Sequence, residues 1–434
     1  MGTVIMIAQL VLALVILIGL HEAGHMIAAK AFGMRVEKFY IGFPPKLFGF
    51  KKGETEYSLG AIPLGGFVKI TGMIDESLDT EAMKKEPEPY EFRAKPAWQR
   101  LIVMLGGIIM NVILGVLVFI GITYYYGETD VPKEEVYKYG IEAEDLGQQL
   151  GFETGDKVLA VNGMDYESFS DLVNIEIFLE DKLTYTVLRD SDTLSVEVPA
   201  DFLDQLSENK NFITFRWPFS VDEVAPGTPA AEIDLQKGDR IVEVNGEKTT
   251  LFDELQGALQ KNAGSEVTLT VNRSGEKLTM QSDVTNEGTL GFRPKNEGNV
   301  SRRSFTLGES IPKGTTMAFS QIGFQIKAFG KMFSGELDPR KSMSGPIRIA
   351  QSFGDQWIWS RFWGLVGLIS MVLAFMNLLP IPALDGGHVA FLSYEIISGR
   401  RPSDKFLENA QKVGMVLLLA LMAFILGNDI ISSI

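Results

Sequence analysis

Seventeen uncharged, mostly apolar residues, Val4 to Leu20, run without a break into His21-Glu22-Ala23-Gly24-His25. Met26-Ile-Ala-Ala29 continues the apolar character, so the whole stretch is long enough to cross a bilayer as a helix. On a helix, residues four apart share a face, and the two imidazoles project together. Glu22 falls one position on, where a carboxylate can serve a metal-bound water as general base. H-E-x-x-H on a helix is a zinc-protease signature. Ionisable side chains at membrane depth are costly and mark functional positions. One histidine on an apolar face is ordinarily a satisfied core residue, but a pair bracketing a glutamate after an apolar run is not.

Three further apolar runs follow, Leu101 to about Tyr125, Phe362 to about Ala383, and Val413 to about Gly427. The start of the chain has no basic region or small-residue cleavage site, so the first run reads as a retained span, not a signal peptide. Four spans put both termini on one side. Lys30 to Arg100 and the segment Arg400 to Lys412 are rich in Lys and Arg. The positive-inside rule therefore turns both toward the cytoplasm. The termini and the long segment from about Gly127 to Trp357 then face outward. His21 lies toward the cytoplasmic end of its span, and a metal bound there should sit on that side.

Within the first basic loop, Glu56 to Ile70 reads as strand, turn, strand, a membrane-proximal β-hairpin whose edge could add an extended substrate. The outward segment contains a repeat at an offset of 83: Gly155-Asp156-Lys-Val-Leu-Ala-Val-Asn162-Gly163 recurs as Gly238-Asp239-Arg-Ile-Val-Glu-Val-Asn245-Gly246. Gly-Asp and Asn-Gly are tight-turn pairs around a strand, and each copy is followed by a helical pattern and another strand. Two tandem α/β modules follow, and they resemble PDZ domains. Met317 to Phe333 reads as an amphipathic helix lying against the bilayer or the protein.

The third span ends in Asn377-Leu-Leu-Pro380-Ile-Pro382-Ala-Leu384-Asp385-Gly386-Gly387-His388, which cannot be a regular helix. Broken backbone at membrane depth must be buried in protein or line a cavity. Two histidines need a third ligand, and a zinc site of two His and one carboxylate leaves the fourth position for water. Asp385 supplies that ligand and gains a partner for its charge, with His388 as the rival. Asn377 reads either as an interhelical hydrogen bond or as a donor to a substrate carbonyl. The chain has no cysteine, so thiolate metal sites and disulfides are excluded, and its net charge of −15 argues against nucleic acid as a partner.

H-E-x-x-H in a first span, N-x-x-P-x-P-x-L-D-G-G-H in a third and a tandem repeat between them resemble the site-two protease family. The resemblance covers essentially the whole chain. It implies that His21, His25 and Asp385 bind zinc, that Glu22 is the base, that Asn377 contacts substrate and that His388 is not a ligand. It also implies cleavage inside transmembrane segments of single-span proteins, an anti-sigma factor trimmed on the outer side and remnant signal peptides among them, as part of an envelope stress response. The expected fold is a polytopic α-helical membrane protein of four transmembrane helices, a β-hairpin and two PDZ-like domains. The segments are 1–30, 31–97, 98–126, 127–212, 213–298, 299–357, 358–392, 393–410 and 411–434. Two other readings use the same residues: a membrane-anchored PDZ adaptor with a vestigial site, or an ion transporter. Sequence alone also admits Fe²⁺ or Co²⁺ at these ligands.

Overall fold

A computed structural model describes residues 2–73, 86–180, 182–199, 202–206, 211–342 and 345–433. They form two compact units, one from residues up to Gly127 together with Ser304 onward, the other Glu128–Arg303.

In the first unit the elements are α1 (Gly2–Ala31), β1 (Val36–Lys52), β2 (Thr55–Ile70), α2 (Ala97–Tyr126), α3 (Leu307–Ser334), α4 (Pro346–Phe353), α5 (Trp359–Leu378), α6 (Asp385–Ser398) and α7 (Asp404–Ser433). Helices α1, α2 and α5 and the stretch Lys405–Asp429 of α7 are long and apolar enough to cross a membrane. Helix α2 is the hub, touching α1, α3, α5 and α6. Its contacts are made where side chains are small, as expected where lipid offers no hydrophobic drive for association. A Cβ at Gly24 of α1 would stand 2.1 Å from the carbonyl oxygen of Gly106, and one at Gly115 would strike Met371 of α5. Helix α3 packs Gly314 on the backbone of Ile120 and Phe329 on Phe375, while Phe333 and Ile326 are exposed. Its start is held by a capping box between Thr306 and Glu309.

The reading of Glu56–Ile70 as a self-paired hairpin is corrected by the register. Its two arms do not pair with each other, because the first half of β1 lies between them: Phe39 faces Val68 on one side and Tyr57 on the other, and Tyr40 faces Phe67 and Ser58. The second half of β1 returns along Thr55–Gly60 through a turn at Gly53. The partners of Glu56–Ile70 lay upstream, where Pro44-Pro45 interrupts the alternation that signals a strand. Gly66–Ile70 is consequently an edge, pairing on its far side with no other strand among the described residues. Val36, Val68 and Ile70 bury their side chains with Ala29 of α1, Val103 and Met104 of α2 and Leu392 of α6. The third span stops at Leu378, and after a break α6 runs on to Ser398, through part of the expected loop, because Val389 to Ile397 is mostly apolar. Ser344, expected to help break the chain before that span, lies outside the described residues.

The second unit shows why Gly-Asp and Asn-Gly recur. Asp156 accepts from the backbone of Glu153 and from Arg189, and Asp239 does the same with Gln236 and Arg273. Asn162 and Asn245 share a left-handed φ of 50°, and each side chain accepts from a neighbouring strand, at Thr184 and Thr268. The strands behind them are Lys157–Val161, Leu183–Arg189 and Asp192–Val198 in the first half, and Arg240–Val244, Glu266–Arg273 and Glu276–Asp283 in the second. The first half is built on Phe152, Tyr185, Phe202 and Phe212, the second on Phe219, Ile241, Leu255 and Leu269. Arg216 joins the halves, pairing with Asp253 at 2.7 Å and Glu254 at 2.8 Å and donating to the Tyr139 carbonyl. The Asp253 side chain is only 7% exposed, and removing its cation leaves a stranded charge. Arg216→Ala is expected to cost roughly 3 kcal/mol, read as lost hydrogen-exchange protection along the helix Phe252–Lys261 in the full-length protein.

Candidate metal centre

Two imidazoles, one carboxylate and a fold in the chain build the site. His21 and His25 lie one turn apart on α1, with ring planes at 81° and Nε2 atoms 3.2 Å from each other. His25 is buried, and its Nδ1 lies 2.8 Å from the carbonyl oxygen of Val103 on α2. A carbonyl can only accept, so Nδ1 carries the proton and Nε2 presents its lone pair. The two rings fit against α2 because Gly107 has no side chain. A Cβ there would stand 2.4 Å from Nε2 of His25 and 2.6 Å from Cε1 of His21.

Asp385 comes from 360 residues further along the chain. After Leu378 the chain folds back through two tight hydrogen bonds, Ile381 N–H to the Leu379 carbonyl and Leu384 N–H to the Ile381 carbonyl. Ala383 takes a left-handed φ of 88° on the way. Helix α6 starts at Asp385, whose carboxylate is favoured by the helix dipole. Gly386 and Gly387 let the first turn lie on this fold: a Cβ at either would come within 2.6 Å of the carbonyl of Leu379 or Ile381. On α7, Gly414 presses against Pro382 at the same place.

Oδ2 of Asp385 ends 3.1 Å from Nε2 of His21 and 3.2 Å from Nε2 of His25. The distances are those of ion pairs, yet Oδ2 is buried without a hydrogen bond. Three electron-rich atoms thus face one common point. The donor atoms of a tetrahedral zinc site with bonds of about 2.0–2.1 Å stand roughly 3.3 Å apart. The triangle fits zinc, with its fourth side open for water. Among the described residues these three form the one cluster of His and acidic groups able to hold a metal ion. His388 is not part of it, though it lines the adjoining cavity.

That cavity measures about 440 Å³. Glu22 and Asn377 both line it beside the triangle, and the edge strand Gly66–Ile70 forms another wall. Glu22 packs under the sheet, since a Cβ at Gly66 would come within 3.2 Å of its Cγ. The geometry therefore brings together all five residues singled out by sequence. Sequence reasoning missed Val103, Gly107 and Asn111 on α2, the last with its amide nitrogen 3.2 Å from Nδ1 of His21. The signal available for them was the Gly106-Gly107 pair and the lone Asn in an otherwise apolar span.

The profile of peptidase family M50 matches residues 9–421. The chain is 29% identical to the regulator of sigma-E protease RseP of Escherichia coli, with 98% of each chain covered. It is 28% identical to the protein of the same name from Salmonella typhimurium, again with 98% of each covered. A Neisseria meningitidis protein provisionally named a zinc metalloprotease is 28% identical, with 97% of each covered.

Proposed function

The chain belongs to peptidase family M50, whose members are zinc metalloproteases of the site-two type, and from that premise we propose that it cleaves single-span proteins inside their transmembrane segments. The observation that carries this reading is the triangle of Nε2, Nε2 and Oδ2 atoms, 3.1–3.2 Å on each side, set between α1, which is long and apolar enough to cross a membrane, and the start of α6, just past another such helix, α5. His21, His25 and Asp385 would hold the zinc. When bound, zinc would lower the pKa of a water to about 7 and polarise a carbonyl oxygen.

The rest of the reaction falls to the protein. The Glu22 carboxylate takes the proton of the attacking water and delivers it to the leaving amine. The amide of Asn377 donates to the carbonyl oxygen as negative charge develops on it. A helical substrate hides its carbonyls in its own hydrogen bonds, so the segment must unwind before attack. The edge strand Gly66–Ile70 can replace those bonds by taking the segment as an added strand. Prolines placed through Gly66–Ile70 that remove an outward N–H are expected to slow cleavage about tenfold per lost bond, with zinc content unchanged. Undiminished cleavage with every such proline would remove the edge from the mechanism.

The finer assignments are supported by the Lys and Arg distribution and by the resemblance to the site-two protease family. The protein lies in a bacterial inner membrane with the metal toward the cytoplasm and the Glu128–Arg303 unit outside. The two halves of that unit act as PDZ-like modules that screen substrates by their trimmed outer ends. The substrate class is an anti-sigma factor already cut on the outer side, with remnant signal peptides as a second class. Purified protein in liposomes with a single-span substrate tests the central reading. Cleavage inside the span, stopped by a chelator and restored by zinc, is the expected result, and a chelator-insensitive cut would reject it.

A further inference from the structure

An imidazole that binds metal through Nε2 must carry its proton on Nδ1 and needs an acceptor there, most of all at membrane depth. His25 has the Val103 carbonyl. For His21, the group next to Nδ1 is the side-chain amide of Asn111, 3.2 Å away and fully buried in α2. Asn111 is held from behind, because its main-chain carbonyl accepts from the Ser370 hydroxyl of α5 at 2.7 Å. As placed, the amide turns its NH₂ toward His21 and leaves Oδ1 buried with no partner.

That orientation sets an N–H donor against a ring nitrogen that must itself donate when Nε2 binds metal. The two ends of an amide are nearly alike in shape, and their assignment follows the hydrogen-bond network. A half-turn about Cβ–Cγ brings Oδ1 to Nδ1–H of His21 and moves the NH₂ to the buried position where Oδ1 now has no partner, so the choice between the two orientations is made by the proton on Nδ1. We propose that Asn111 is a positioning residue for the metal centre: its Oδ1 accepts from Nδ1–H of His21 and so fixes the tautomer and ring angle that aim Nε2 at the metal. This rests on the assignment of His21 as a ligand. The plainer role, interhelical glue through the NH₂ group, would need a donor at position 111 and not an acceptor.

Two replacements that keep the branched skeleton of four side-chain heavy atoms separate the roles. Asn111→Leu has neither donor nor acceptor, whereas Asn111→Asp keeps the acceptor and loses the donor. Zinc retention of the full-length protein in detergent is titrated against a chelator, with thermal unfolding of the metal-free protein measured alongside. Asn111→Leu is expected to hold zinc ten- to a hundredfold more weakly, while Asn111→Asp holds it at least as well as the wild type. Wild-type retention in Asn111→Leu, or equal loss in both variants, overturns the proposal. His21→Ala is the reference. If it retains zinc like the wild type, His21 is not a ligand, and the underlying assignment falls together with the proposal.

Discussion

Glu22→Gln is expected to leave zinc in place and to lower cleavage of a transmembrane substrate by about a thousandfold, within the range that a positioned general base contributes. Glutamine has the shape of glutamate, so the close packing of Gly66 over the Glu22 side chain is preserved. What is lost is the basic oxygen that accepts a proton from water and returns it to the leaving nitrogen. Glu22 also stands outside the group of three mutually close donors, so its replacement removes no ligand. Asp385→Ala is the instructive contrast, because it deletes one corner of the triangle and should take zinc and activity away together. Metal analysis of both purified variants, beside a cleavage assay in liposomes, decides the matter. A glutamine variant that keeps more than a tenth of the wild-type rate would remove Glu22 as the base.

Gly107→Ala should be as damaging although it touches no reactive group. The added methyl would stand 2.4 Å from the Nε2 of His25 and 2.8 Å from the Nδ1 of His21. Helix α2 cannot withdraw to make room without breaking its contact at Gly106, where a Cβ would already lie 2.6 Å from the Gly24 carbonyl. The rings must therefore rotate, and the 3.1–3.2 Å triangle opens. Zinc affinity is expected to fall about a hundredfold, measured by competition with a chelator. Gly121→Ala, fourteen residues along the same helix with nothing within 4 Å, serves as control. Both changes raise intrinsic helix propensity by about 1 kcal/mol, so a loss confined to Gly107 reports the collision and not a weakened helix. Wild-type zinc affinity in Gly107→Ala would mean that the rings do not sit where α2 constrains them.

The parts of this site that carry their own chemistry were legible in the sequence. His21, Glu22 and His25 share a helix turn, so spacing alone puts them together. Asp385 could be joined to them across 360 residues because a carboxylate in a broken span must find a partner. The supporting parts were not legible. Val103 contributes only a main-chain oxygen, and Gly107 contributes the absence of a side chain, neither of which stands out in an apolar helix. The sheet escaped for a different reason. Phe39 has Val68 on one side and Tyr57 on the other, and a local pattern cannot tell which of two upstream or downstream segments will be a strand's neighbour. The long α6 was hidden by the same glycines and prolines that correctly announced a break.

The edge strand Gly66–Ile70 has a consequence for selectivity. Main-chain groups are common to all residues except proline, so a wall that grips a guest through them is nearly blind to the guest's side chains. Discrimination then shifts to how readily a hydrophobic helix comes apart: sequences rich in glycine, serine or asparagine near mid-span would be cut quickly, and uniform leucine would resist. An alignment of cleaved targets should accordingly show little shared lettering and a common weakness.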